Sequence, residues 1–460
     1  MYLSLCLIIK DENSYLQEWL DYHILLGVEH FWVYDNESTV PVAETLKSYI
    51  QSGWVTVNCI EGRKMQLAAY DHCIQTYGLH SKWIGFIDTD EFIVLREAKS
   101  LREYLLSFEP YGGLAISSLF FGSGGNKTRP AGGQIAGYLF RTSEQFWQNR
   151  LVKMIIQPEK VLYPISPHSF LFNGSNYCVN EAGWRVDAQQ YPCHIDNIQV
   201  NHYFTRSDEE WAKKHSRGGG AGIRYTDNNR SEVNQYASIK DTLILKRLQE
   251  ILPDAPIEAV TWQRATLSNS PRFLNLLHQS AKKHLPAPLQ KQKSLKVTPR
   301  PDLIQYHKEV AIGLRLLEEK RITEAYEFFA SQITKFPWDV IRYTNFGKVS
   351  LQKGDFETAW TAIAQAWRMA PKSLYVLLCM TDYFYTIKDF AQAEKTSLLA
   401  AALGDLEPIG VAILALSQWK QGKHQEAIST AQPVLAHLPE DQANNPVYKE
   451  LVTLIPKKGP

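Results

Sequence analysis

The chain has 460 residues, enough for two domains that each bury a core. Hydrophobic residues make up 45% and charged residues 21%, with 49 basic side chains against 48 acidic ones. A formal net charge of +1 excludes a chain-wide field for nucleic acid or a membrane surface. Leu3 to Ile9 is an unbroken apolar run, too short for a bilayer and followed at once by charge, so it reads as a strand covered on both faces. Ser14 then opens a helix with Gln17 at the capping-box position and Gly27 at its end; Leu16, Trp19, Leu20, His23 and Leu26 share one side. Phe31 to Tyr34 predicts a second strand, Pro41 to about Gln51 a helix, and Trp54 to Val57 a third strand. A helix from about Met65 to Tyr77 and a strand from Trp83 to Ile87 complete a strand–helix alternation, the pattern of a doubly wound, mostly parallel α/β sheet.

Polar residues follow each of these strands. Lys10-Asp11-Glu12 come after the first, Asp35-Asn36 after the second, Glu61-Gly62-Arg63 after the third and Asp88-Thr89-Asp90-Glu91 after the fourth. Ligands of such sheets bind beyond the carboxyl ends of the strands, so the four groups together predict a site there. Asp88 and Asp90, one residue apart at a strand end, suit a hard divalent ion shared with substrate phosphates. A turn or capping pair of acids is the competing reading.

The six cysteines (Cys6, Cys59, Cys73, Cys178, Cys193 and Cys379) are scattered, without a CxxC pair, and fit a reducing compartment. Cys193-His194 lacks a second pair at zinc spacing and reads as a buried thiol beside an ordinary histidine. With no run of transmembrane length and no basic leader, the expectation is a soluble, cytoplasmic protein.

Residues 281–301 are Pro-containing and basic (Lys282, Lys283, Lys291, Lys293, Lys296, Arg300) and read as a linker, with contact to an anionic membrane face as the sharper idea. Beyond it, Ala325, Ala359, Ala393 and Ala427 recur every 34 residues, and Pro337 and Pro371 keep the same interval. That is the tetratricopeptide pattern of stacked helical hairpins, whose work is contact with a protein partner or self-association. The predicted domains are 1–280, α/β, and 302–460, all-α repeats.

Trp83 to Ile93, with Asp88-Thr89-Asp90 at its centre, resembles the metal-binding block of glycosyltransferase family 92 and of the broader family 2-like set. Lys10 to His23, Gly27 to Thr39, Gln66 to Cys73, Phe121 to Gly125 and Asn201 to Phe204 resemble other blocks of that family in order, over roughly residues 1 to 220; Asp11 stands where Asn is commoner. The resemblance implies a GT-A fold, a nucleotide-diphosphate sugar donor such as a UDP-sugar, Mn2+ or Mg2+, and inversion at the sugar carbon during transfer to a surface-polysaccharide or lipopolysaccharide acceptor. Under it, Asp90 with Asp88 holds the ion and His202 completes its shell. Lys10, Asp11, Glu12, Asp35, Asn36 and Arg63 line the nucleotide side. Lys213, Lys214 and Arg217, ahead of the glycine run 218–222, would close over the diphosphate. Inversion needs a base. Glu144, Glu181, Asp187 and Asp196 are the acids on offer, and Glu181 is favoured, while the role of His168 stays open. Two other classes compete: an interaction protein with an inactive α/β domain, and a metal-dependent nucleotidyltransferase or phosphohydrolase.

Overall fold

The computed structural model describes residues 1–98, 100–173, 176–190, 193–218, 226–252, 309, 311–313, 315–337, 339–371, 373–403, 406, 408–436 and 445–455. The chain divides into two compact units, Met1–Ile304 and Gln305–Pro460. The predicted basic linker and both of its boundaries lie outside the described residues.

The first unit contains strands β1 (Leu3–Ile9), β2 (His30–Asp35), β3 (Val55–Cys59), β4 (Trp83–Phe86), β5 (Glu91–Leu95), β6 (Gly113–Phe120) and β7 (Phe140–Arg141). Strands β8 (Val152–Ile156), β9 (Val161–Ser166), β10 (Ser169–Phe172), β11 (Cys178–Val179), β12 (Ile198–His202) and β13 (Ile239–Lys240) follow. Its helices are α1 (Asn13–Leu25), α2 (Val42–Thr45), α3 (Lys47–Gln51), α4 (Gln66–Tyr77) and α5 (Leu101–Leu105). After them come α6 (Gly133–Gly137), α7 (Asp208–Arg217), α8 (Asp227–Tyr236) and α9 (Leu243–Ile251).

The main sheet runs β3-β2-β1-β4-β8-β6-β12-β5, with β11 added beside β6. The four strands read from the sequence are mutually parallel, so their carboxyl ends share one edge. Strand β8 is antiparallel to both β4 and β6, and β12 runs parallel to β6, which brings the end of β12 at His202 to that same edge. Strand β5 folds back antiparallel to β12 and pairs Glu91 with His202. The main sheet is therefore mixed beyond β4.

Two local expectations are corrected. The capping box at Ser14 does not form: α1 begins behind Glu12, without a side-chain cap, and Gln17 donates to the Tyr49 hydroxyl at 3.4 Å. The helix expected from Pro41 breaks into α2 and α3 at Leu46. Both faces of the sheet are packed, one by Trp19, Leu20 and Phe31 with α1, the other by Trp32, Tyr70 and Phe86 with α4.

The second unit is helical. Its helices include α10 (Ile322–Lys335), α11 (Val340–Lys353), α12 (Phe356–Met369), α13 (Leu374–Thr386), α14 (Phe390–Leu403), α15 (Pro408–Lys420), α16 (His424–Ala436) and α17 (Pro446–Leu454). Ala325, Ala359, Ala393 and Ala427 are all fully buried, as small residues at helix crossings must be. At Gly347 an added Cβ would stand 2.5 Å from Ile363 Cγ1, which shows how closely α11 crosses α12. Lys320, Gly354, Lys388 and Gly422, again 34 residues apart, all have positive φ and turn the chain at the same point of each repeat. Among the described residues, no helix is long and apolar enough to cross a membrane.

Candidate active site

The site grows from the β4–β5 turn. Asp88 receives Gln66 Nε2 at 3.1 Å on one oxygen and Lys153 Nζ at 2.7 Å on the other. Lys153 projects from β8, is buried, and also pairs with Glu91 at 3.0 Å. Burial by itself would lower the lysine's pKa, but Asp88 and Glu91 outweigh it and hold the ammonium charged. Glu91 accepts the backbone N–H of Asp88 at 2.9 Å, which clamps the turn.

Asp90 is buried and meets three groups. Lys214 Nζ lies 2.6 Å from its Oδ2, His202 Nε2 3.6 Å and Arg206 Nη2 4.0 Å. Burial would raise this carboxyl; Lys214, His202 and Arg206 overcome it and hold the pKa well below the ordinary aspartate value. The other ring nitrogen of His202, Nδ1, stands 3.6 Å from Glu91 Oε1, and Phe120 and Phe204 flank the ring edge-to-face. The histidine is thus set between two carboxylates, the arrangement that orients a metal-ligating imidazole.

Glu12, just past β1, joins the cluster. It accepts from Arg206, from Arg217 and from the Thr89 hydroxyl. Burial raises its pKa, yet Arg206 and Arg217 bring it down to about 2. Arg206 is itself buried, in a left-handed turn (φ 47°), with its guanidinium 3.8 Å over the Tyr15 ring and Nε on Gln134 Oε1 at 3.0 Å. Four carboxylates (Glu12, Asp88, Asp90, Glu91) therefore face four cations (Lys153, Arg206, Lys214, Arg217), and the formal charges balance.

The remaining residues expected on the nucleotide side shape the neighbouring loops. Both Asp35 oxygens accept backbone N–H groups, from Ser38 and Val42 at 3.0 Å each. Asn36 donates to the carbonyls of Ile60 and Gly62 and so ties the loop after β3 to that after β2. Asp11 (φ 52°) bonds to Ser38 Oγ and Thr39 N, Lys10 reaches Glu37 at 3.9 Å, and Arg63 is exposed beside Gly62.

Two expectations are placed elsewhere. Lys213 is exposed and pairs with Glu209 of its own helix; the lysine turned into the site is Lys214, one 100° step around α7. Glu181 accepts the backbone N–H groups of Asp196, Asn197 and Ile198 and faces His194 Nδ1. Ile198 opens β12 whereas His202 closes it, about 13 Å away along the strand. With its oxygens occupied by that loop, Glu181 is an anchor for the start of β12 and not a base beside Asp90. Glu144 pairs with Arg141, Asp187 with Arg185, and Asp196 is exposed. Among the described residues, the trio of acid and histidine donors all within 4.8 Å of one another is Glu181, His194 and Asp196, and none gathers so tightly around Asp90. Cys193 is a buried free thiol. His168 donates Nδ1–H to the Val152 carbonyl at 3.0 Å, and burial, with Lys153 nearby, lowers its pKa to about 4.

Sequence reasoning does not single out Lys153 or Arg206. A lone lysine inside the apolar run Leu151 to Ile156 is the available signal, since a charge in a covered strand must find a partner. As a donor set, the Asp90 carboxylate and His202 Nε2 fit one divalent ion: an oxygen and an imidazole nitrogen of the kinds such ions take, close enough to share it, with Glu91 behind the histidine.

The model of glycosyltransferase family 92 matches residues 2–235, which is 234 of the 460 positions. A family 92 protein of Ricinus communis is 25% identical over 278 residues, covering 57% of this chain and 49% of the relative. One of Oryza sativa subsp. japonica is 28% identical over 275 residues, 56% of this chain and 46% of the relative. A galactan beta-1,4-galactosyltransferase of Arabidopsis thaliana is 31% identical over 114 residues, 23% of this chain and 22% of that protein. The chain spans about half the length of the first two relatives. A thermophilic TPR protein of Thermus thermophilus aligns at 15% identity and a TM-score of 0.26, over 50% of this chain and 93% of that one; the repeats here rest instead on the buried alanines and recurring turns. Taken with the sheet edge that gathers Asp88, Asp90 and His202, the match over residues 2–235 places this chain in glycosyltransferase family 92.

Proposed function

We propose that the first unit transfers a sugar from a nucleotide-diphosphate donor, a UDP-sugar, to a glycan acceptor with inversion, in the making of a surface polysaccharide or lipopolysaccharide. The observation that carries this reading is the Asp90–His202 pair at the carboxyl edge of the sheet, ringed by Lys214, Arg206 and Arg217. Asp90 and His202 would hold Mn2+ or Mg2+, with Asp88 beside them on Lys153. The ion supplies Lewis-acid stabilisation of the departing diphosphate. The chain's own cations add to that stabilisation, since Lys214 and Arg217 sit on the last turn of α7, where a diphosphate would meet them. Asp35 and Asn36 act at one remove, by fixing the loops after β2 and β3 that would border the nucleotide. The name of the Arabidopsis relative supports hexosyl transfer, so UDP-hexoses head the donor list. The helical unit, with Leu398 and Leu399 exposed side by side, offers a surface for a protein partner or a second copy.

The test is a thermal-shift panel of nucleotide sugars with and without Mn2+, followed by hydrolysis of whichever donor stabilises the chain. A shift that needs both the metal and one donor, and disappears in Asp90→Asn, is expected. No shift with any donor would remove this reading.

A further inference from the structure

The carboxylate oxygen of Asp90 that faces His202 is also the oxygen that Lys214 holds. Lys214 Nζ lies 2.6 Å from Asp90 Oδ2 and donates to the Phe204 carbonyl at 3.1 Å, 4.8 Å from the centre of the Phe204 ring. Its side chain is 6% exposed and that of Asp90 7%, so the pair is sealed from water. An ammonium and a divalent ion repel strongly at such range in a buried site. Sharing Oδ2 would set the two charges directly against each other.

Helix α7 is held at its start by a cap and at its end by the charged cluster itself. Ser207 and Glu210 close a capping box at the first turn, and Glu210 is held further by the hydroxyls of Tyr15 and Tyr138. The last turn carries Lys214 and Arg217 three residues apart on one face and ends at Gly218 with φ 77°. Both cations thus enter the cluster from one end of one helix, where Asp90, the Phe204 carbonyl and Glu12 receive them. The cluster is formally neutral without ligand. A divalent ion alone would leave it with two positive charges, and a diphosphate ester alone with two negative ones.

We propose that Lys214 occupies the position of the divalent ion at Asp90, and that ion and nucleoside diphosphate displace it together: the ion takes Asp90 and His202, and the Lys214 ammonium passes with Arg217 to the diphosphate oxygens. Metal and diphosphate binding are then coupled, each strengthening the other by the same factor. This rests on the transferase reading of the site, and the experiment separates the two.

Mn2+ binding to the full chain is followed by the electron paramagnetic resonance signal of free Mn2+, with and without UDP. The wild-type chain binds Mn2+ weakly alone and at least tenfold more tightly with UDP. Lys214→Met removes the competitor, so Mn2+ alone binds at least tenfold more tightly than to wild type and UDP adds less. Lys214→Arg keeps a cation with a stronger hold on carboxylate, and Mn2+ alone binds more weakly than to wild type. If the wild-type chain binds Mn2+ and UDP but Lys214→Met binds Mn2+ no more tightly, the displacement is wrong and the transferase site stands. Should Lys214→Met fail to fold, Lys214→Arg decides, and equal or tighter Mn2+ binding overturns the proposal. If wild type binds neither Mn2+ nor UDP, the site reading itself falls and takes this proposal with it.

Discussion

The two units bury different things. In the first, the sealed positions include Glu12, Asp90, Glu91, Lys153 and Arg206, charged groups that cost several kcal/mol each to remove from water and return it only when fully partnered. In the second, the positions at zero exposure that set its repeat are Ala325, Ala359, Ala393 and Ala427, which bury no polar atom beyond the backbone. The second unit buries charge as well, but in separate local pairs such as Arg342 with Asp339 and Glu394 with Lys423, where the first gathers its charges into one cluster. Such a contrast is expected where chemistry sits in one part of a chain and contact in the other.

Four changes break or sharpen the comparison. Asp90→Asn should cut donor turnover, measured as kcat/KM with Mn2+, by at least about 10³-fold, whereas Ala359→Leu should leave it within about twofold. Comparable losses from both would erase the distinction. Arg206→Met leaves Glu12 without its chief buried partner and should destabilise the first unit by about 3–5 kcal/mol in denaturant unfolding. Ala359→Leu overfills the α11–α12 crossing and should cost the second unit about 1–3 kcal/mol. Smallest is Lys388→Gly, which relieves a lysine at φ 64° and should stabilise the repeats by about 0.5 kcal/mol, seen as a small rise in melting temperature.

Acid should also separate the units. Burial lowers the pKa of His23 to about 3 and those of His30 and His168 to about 4, from 6.5. The unfolded chain then takes up protons that the folded chain refuses, so their contribution is present above pH 6.5 and is lost as pH falls toward 4. Asp382 in α13 has the opposite sign. Burial, against Lys348, raises it to about 6, and its contribution is present below the unfolded value of 3.8 and lost as pH rises through 6. Hydrogen exchange across the intact chain between pH 6.5 and 4, corrected for intrinsic rates, should show protection falling in the first unit while the region around Asp382 holds or gains. A parallel decline in both would contradict these assignments.

Much of this is legible in the sequence. The apolar run Leu3–Ile9 becomes β1 residue for residue, and the polar groups after the first four strands do share an edge, because parallel register leaves them no alternative. The 34-residue interval is visible because each repeat meets the same packing problem. Period and pattern do not report what a later acid binds, so they favour Glu181 as the base without showing that its oxygens hold the backbone at the start of β12. They resolve a helix face only to within a residue, hence Lys213 beside Lys214. Arg206 carries no periodic signal at all; its place follows from a left-handed turn that only the folded chain discloses.

The left-handed turns of the second unit have one more implication. Gly354 is followed by Asp355, whose carboxylate accepts Thr358 N, and Lys388 by Asp389, whose carboxylate accepts Gln392 N, both at 3.1 Å. Removing residues 355–388 would join Gly354 to Asp389 and recreate the same joint, with the same cap starting the next helix. Each such joint is a seam at which the array can be spliced. The reach of the helical unit can therefore change in whole-repeat steps with no new turn to invent, while the charged cluster of the first unit, drawn from residues 12 to 217, tolerates no cut of that kind.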